Sequence, residues 1–172
     1  MSHLSEGPGA PTVHENVPET DHSGSPSLDL MLVPPTSERL GPRVRLREFR
    51  FNRTQAAICI AEVELEAPDG RRVVGRARGA SIPTGELRAA AEATLAALSL
   101  LAPPGSLGLE LGGVKSLRAF DETVVIVSVT GDRLGEPARL LGCVLAGEDL
   151  VRGAVLATLS ATNRVLTFGV RH

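Results

Sequence analysis

The chain has 172 residues, 42% of them apolar, a formal net charge of −2, and only 2% aromatic residues, with no Trp and no Tyr. At this length one domain is expected, with a core filled by Val, Leu, Ile and Ala. Balanced charge and missing aromatic platforms exclude the usual means of gripping nucleic acid, which are clustered positive surface and base stacking.

Lys115 is the only lysine among eighteen basic residues. A skew to Arg alongside much Ala and Gly suggests a GC-rich bacterial genome. Cys59 and Cys143 each sit inside an apolar strand pattern and read as small core residues. Neither a basic amino terminus followed by an apolar run nor a bilayer-length apolar stretch is present, so a cytoplasmic protein without a membrane segment is expected.

Residues 1–41 are rich in Pro, Ser, Gly and Glu and lack apolar periodicity, the composition of a disordered tail. Within it, Leu28, Leu30 and Leu32 belong to one sticky run, Leu28 to Val33, stopped by Pro34-Pro35. Such a run either packs on an edge of its own domain or docks a protein partner as an added strand.

A domain over 42–172 follows, beginning with a repeat over about residues 43–102. Val44 and Leu46 alternate with arginines, then the phase slips to Phe49 and Phe51, which predicts a bulge. From Ala57 to Ala67, Cys59, Ala61, Val63 and Leu65 share one face, while Ile58, Ile60, Glu62, Glu64 and Glu66 share the other. Ala67-Pro68-Asp69-Gly70 is a turn that closes a hairpin. The return strand carries Arg72, Val74, Arg76 and Arg78 on one face. Pairing with the glutamates makes this row a salt-bridged surface, with an anion site as the alternative. A helix capped by Thr84 follows, with Glu86 in its first turn, a buried stripe of Leu87, Ala91, Leu95 and Leu98, and an end at Ala102-Pro103-Pro104-Gly105.

Ala93-Thr94-Leu95-Ala96-Ala97 in this helix recurs as Ala157-Thr158-Leu159-Ser160-Ala161. The second repeat, about 107–168, has strands at Gly113–Ala119, Thr123–Thr130 and Arg139–Leu145, a long turn over Gly131–Pro137, and a helix from about Asp149 to Leu166. Gly75 aligns with Gly142, and the segment before the second helix is three residues shorter. The expected fold is therefore α+β, β-β-β-α twice, with antiparallel sheets and one alanine-rich helix per repeat. Val124 and Ile126 oppose Val125, Val127 and Val129, and Leu140 opposes Leu141, so these strands are apolar on both faces. Helices can cover one face; the other, with Val124, Ile126 and Leu140, is expected to meet a second copy in a homodimer.

Candidate chemistry is sparse. The histidines at 3, 14, 22 and 172 lie in the tail and at the chain end, no phosphate-binding glycine motif occurs, and no carboxylate pair can be placed in a cleft. No catalysis, cofactor or metal is expected. The two strand-to-helix junctions, Gly79–Gly85 and Ala146–Asp149, expose backbone N–H groups at helix starts; they either only turn the chain or bind a small carboxylate.

Arg72-Val73-Val74-Gly75-Arg76-Ala77-Arg78-Gly79, Leu140-Leu141-Gly142 and the ending Ala157-Thr158-Leu159-Ser160-Ala161-Thr162-Asn163-Arg164-Val165-Leu166 together resemble the carboxy-terminal regulatory domain of 2-isopropylmalate synthases. The resemblance covers about residues 43–168 and implies two βββα units, self-pairing, and an amino-acid-like effector site in the strand-to-helix loops, here Gly79, Ser81, Pro83, Gly142 and Gly147. The chain is too short for that family's catalytic barrel and has no metal-binding His pair, which implies a stand-alone regulatory or ligand-sensing module. An adaptor that docks a partner through its tail is the other reading.

Overall fold

The duplicated pattern folds as two copies of one plan. The computed structural model describes residues 43–102, 108–133, 136–163 and 166. Strands β1 (Arg45–Arg53), β2 (Ile58–Glu66) and β3 (Arg72–Ala80) lead into helix α1 (Pro83–Leu101). Strands β4 (Leu109–Ala119), β5 (Glu122–Arg133) and β6 (Glu136–Leu145) lead into helix α2 (Leu150–Thr162). Each trio is an antiparallel meander with its second strand in the centre. The expected α+β order, β-β-β-α twice, is what the chain adopts.

Alternation decides the faces of the first sheet. Cys59, Ala61, Val63 and Leu65 are wholly buried under α1, whereas Glu62 and Glu66 lie on the outer face opposite Arg76 and Arg72. Arg76 Nε stands 2.8 Å from Glu62 and Arg72 Nε 2.8 Å from Glu66. Arg72 and Arg76 are thus engaged by carboxylates as a salt-bridged surface, whereas Arg78, exposed in the same row opposite Ile60, makes no ion pair among the described residues. The phase slip in β1 is a register shift between Leu46 and Glu48 that returns Phe49 and Phe51 to the core side, opposite Val63 and Ala61. Gly70, at φ +85°, closes the β2–β3 turn, and its N–H donates to the Ala67 carbonyl over 2.9 Å.

The repeated pentapeptide sits where helix and sheet come closest. A methyl group on Gly75 would run into the Ala93 carbonyl oxygen and the Ala97 amide; on Gly142 it would run into the corresponding atoms of Ala157 and Ala161. The glycine on the strand and the first and last alanines of the phrase are thus one contact, made twice. Thr94 and Thr158, wholly buried between those alanines, donate to the carbonyls of Ala90 and Ala154 one turn back, 2.8 and 2.7 Å away. No polar atom is left unsatisfied by their burial. Asn163, after α2, joins the repeats: its Oδ1 accepts from Val44 N–H and its Nδ2 donates to the Val44 carbonyl, at 3.2 and 3.3 Å.

Several local expectations are corrected. Thr84 does not cap α1. Pro83 occupies the first helical position, where its fixed φ and missing N–H are best tolerated, so Ile82 becomes the cap residue and makes no side-chain bond. Helix α2 does have a side-chain cap, with Asp149 Oδ1 accepting from the Arg152 N–H at 2.9 Å. Pairing of β5 with β6 runs on through Gly131, Asp132 and Arg133, so no long turn exists; Pro137 is accommodated because β6 is an edge strand. The three residues missing from the second repeat come out of the helix, since α1 starts ten residues before Ala93 and α2 seven before Ala157. Cys59 is buried as expected, but Cys143 is exposed.

Candidate functional site

Two surfaces distinguish this domain: the outer face of the second sheet and a cleft where the two helices begin. On the second sheet, Gly142 must face α2, and residues two apart along a strand share a face. Leu140 and Val144 therefore pack against the core with Gly142. This corrects the placement of Leu140, which cannot meet a second copy. Its neighbour Leu141 does point outward, 63% exposed, in one row with Ser128 and Gly113. Val124 and Ile126 lie on that outer face too, half-buried. Val124 stands between Leu117 and Leu145, which are 43% and 67% exposed, and Ile126 between Lys115 and Cys143. The result is a face that is apolar in its middle apart from Lys115, with Glu122 at the turn end and Glu110 and Arg139 towards the other, where the first sheet presents paired Arg and Glu.

The cleft, about 440 Å³, is lined by Pro83, Glu86 and Leu87 from the start of α1, by Glu148 to Val151 from the start of α2, and by Arg53 and Ser116 from β1 and β4. Arg53 grips Glu86 with two bonds, Nε to Oε1 at 2.5 Å and Nη2 to Oε2 at 2.7 Å, and Ser81 Oγ donates to the same carboxylate at 3.1 Å. Glu86 is only 8% exposed. The Arg53 bond, opposed by burial and helped by Ser81, holds its carboxyl below the usual glutamate range, and the same bond raises the Arg53 guanidinium. Three carboxylates, Glu86, Glu148 and Asp149, thus share the cleft with one guanidinium, which Glu86 already engages.

Of the five loop residues singled out from sequence, only Pro83 lines this cleft, while Ser81 acts on it through Glu86. Gly79 and Gly142 are packing glycines: a methyl on Gly79 would press on the Gly85 carbonyl at 2.8 Å, and Gly142 lies under the middle of α2. Gly147, at φ +53°, turns the chain towards α2 with open space beside it. Leu28, Leu30 and Leu32 lie outside the described residues. Arg53 and Glu86 were not singled out as a pair, because they are 33 positions apart and nothing local joins them. The one signal available was parity: Arg53 falls opposite Cys59 in the register and therefore on the helix side.

Among the described residues no set of three or more His, Cys, Asp or Glu side chains is placed to hold a metal ion, and no helix is long and apolar enough to cross a membrane. No family model matches the chain and no curated protein matches it significantly, so nothing in these comparisons identifies it with the regulatory domain it resembles.

Proposed function

We propose that this chain is a non-catalytic regulatory module that works as a homodimer, its copies joined through the outer face of the second sheet. One observation carries the reading. Two sheets built on the same plan have contrasting outer faces, the first ion-paired and the second apolar in its middle, with Leu117, Leu141, Leu145 and Cys143 exposed. Removing a leucine side chain from water is worth about 1.5–3 kcal/mol, a large share of a domain's marginal stability. Exposed apolar faces of this kind mark association surfaces.

The cleft at the helix starts is the place for a small effector. Its carboxylates disfavour a simple anion, so the ligand it suits best carries an ammonium group. An amino-acid-like zwitterion meets this condition and a plain carboxylate does not.

Light scattering on the full chain from low to high micromolar concentration tests the assembly. A dimer is expected, and Ile126→Glu should convert it to a folded monomer. A parent that stays monomeric throughout, with the variant equally stable, rejects the reading. Thermal-shift screening tests the ligand: amino acids should raise the melting temperature more than matched carboxylates, and Glu148→Gln should weaken the shift.

A further inference from the structure

Each three-stranded sheet has two edge strands, and three of the four edges are interrupted. Strand β1 shifts register between Leu46 and Glu48, β4 shifts between Leu111 and Gly113, and β6 has Pro137 near its start. Bulges and prolines are the usual devices that close an edge to further pairing. Strand β3 has neither. Its nine residues lie in one unbroken register on β2, and among the described residues no strand pairs with its other side.

Hydrogen-bond parity identifies the groups that this edge offers. The Ser81 N–H donates to the Ala57 carbonyl and the Ala67 N–H to the Arg71 carbonyl, each over 2.8 Å. Only alternate residues of an antiparallel strand bond to a given neighbour, so in β3 the odd-numbered residues are tied to β2. Arg72, Val74, Arg76, Arg78 and Ala80 therefore turn their N–H and C=O groups outward. The same five residues are exposed and lie on the outer face, opposite in parity to Gly75 under the helix.

Charge across the sheet identifies what would sit beside them. Two rows alternate in sign from strand to strand. Arg50 stands 3.9 Å from Glu62 and Glu62 2.8 Å from Arg76; Arg47 stands 3.3 Å from Glu66 and Glu66 2.8 Å from Arg72. Both rows stop on an arginine at the open edge, with the unpaired Arg78 next to them. A guanidinium has five N–H donors, more than one carboxylate occupies, so a carboxylate on the far side continues each row.

We infer that β3 is a docking edge for an extended acidic segment of a partner protein, which adds antiparallel to it as a fourth strand. This goes beyond the dimer reading and uses the other sheet. Side chains directly opposite one another share a face, so the partner residues facing Arg78, Arg76 and Arg72 are acidic and the one facing Val74, itself 44% exposed, is apolar. Along the partner the pattern is acid-x-acid-x-apolar-x-acid. A second copy is the wrong occupant: pairing β3 antiparallel with itself sets arginine against arginine in every register longer than a few residues.

The test titrates the full chain with a fluorescein-labelled peptide, TETETVTET, which carries this pattern, and with its counterpart TKTKTVTKT. The acidic peptide should bind at least tenfold more tightly, and Arg78→Glu should weaken it at least threefold with the urea midpoint of the protein unchanged. Hydrogen exchange read by NMR separates strand addition from charge attraction alone: the outward amides of Val74, Arg76 and Arg78 should gain protection when the acidic peptide is bound. Affinities of the two peptides within twofold, no binding of the acidic peptide up to about 1 mM, or binding without that protection overturns the proposal. Outward amides already protected before any peptide is added overturn it too, because the edge is then taken. Ile126→Glu should bind the acidic peptide as the parent does, so loss of the dimer and loss of the docking edge are read separately.

Discussion

Replacing Gly75 with alanine adds one methyl group at the tightest contact in the first repeat. That methyl would overlap the Ala93 carbonyl oxygen and the Ala97 amide, and would lie 2.8 Å from Ala97 Cβ. Two of the three obstacles are backbone atoms in the middle of α1, so no side-chain rotation relieves the overlap; the helix itself must retreat by about 1 Å, the scale of one missing contact distance. Overpacking of this kind costs about 1–3 kcal/mol where side chains can yield, and the rigid backbone here places the loss at the upper end. The alanine returns only about 0.4–1 kcal/mol through the unfolded chain. A net loss of about 2–2.6 kcal/mol lowers the melting temperature by roughly 8 °C. Urea titration at fixed protein concentration would measure it, with Gly108→Ala, a site with nothing within 4 Å, as the control expected to be neutral. Gly142→Ala should reproduce the loss, since Ala157 and Ala161 stand where Ala93 and Ala97 do. If both variants unfold within about 0.5 kcal/mol of the parent, the size of an ordinary surface substitution, the close helix-to-sheet approach is refuted.

Three further outcomes follow from single contacts. Asp149→Ala removes the cap of α2 and should lower stability by about 1 kcal/mol in urea, with loss of helical circular dichroism on mild heating. Asn163→Ala leaves the N–H and carbonyl of the buried Val44 without their partner and should destabilise by about 1–3 kcal/mol, whereas Asn163→Asp should recover only the contact to the N–H. The carboxyl of Glu86 is held below its unfolded value of 4.5, so its stabilising effect is fully present above that pH and fades as pH falls through the lower folded value. Glu86→Gln should therefore weaken the fold at pH 7, and parent and variant should converge in urea midpoint as the pH approaches 3.

Most of the framework was legible because the chain states it in simple periods. Alternation identified the core face of β2, the slip before Phe49 identified the bulge, and the pairing of Glu62 with Arg76 could be read from charge. The errors arose where two residues of one kind were adjacent. Leu140 and Leu141 are equally apolar, so hydrophobicity could not say which faces inward, although Gly142, aligned with Gly75, already contained the answer by parity. Cys143 was misread for the same reason. Gly131 and Pro137 look like turn residues, yet both are paired, because an edge strand tolerates a proline that a central strand would not. As for the candidate site, the cleft joins Arg53, Glu86 and Glu148 from three separate elements, and no local pattern announces such a convergence.

The unequal outer faces of the two sheets also set a limit on growth. A chain with both faces apolar would offer two attachment points on different sides, and each new copy would leave another one open, a recipe for filaments. Here one repeat pairs arginines with glutamates across its outer face, while the other confines Glu110, Glu122 and Arg139 to the ends of its sheet and leaves the middle apolar around Lys115. Under the proposed pairing the molecule has a valence of one, and association through that face would be complete when a single neighbour has arrived.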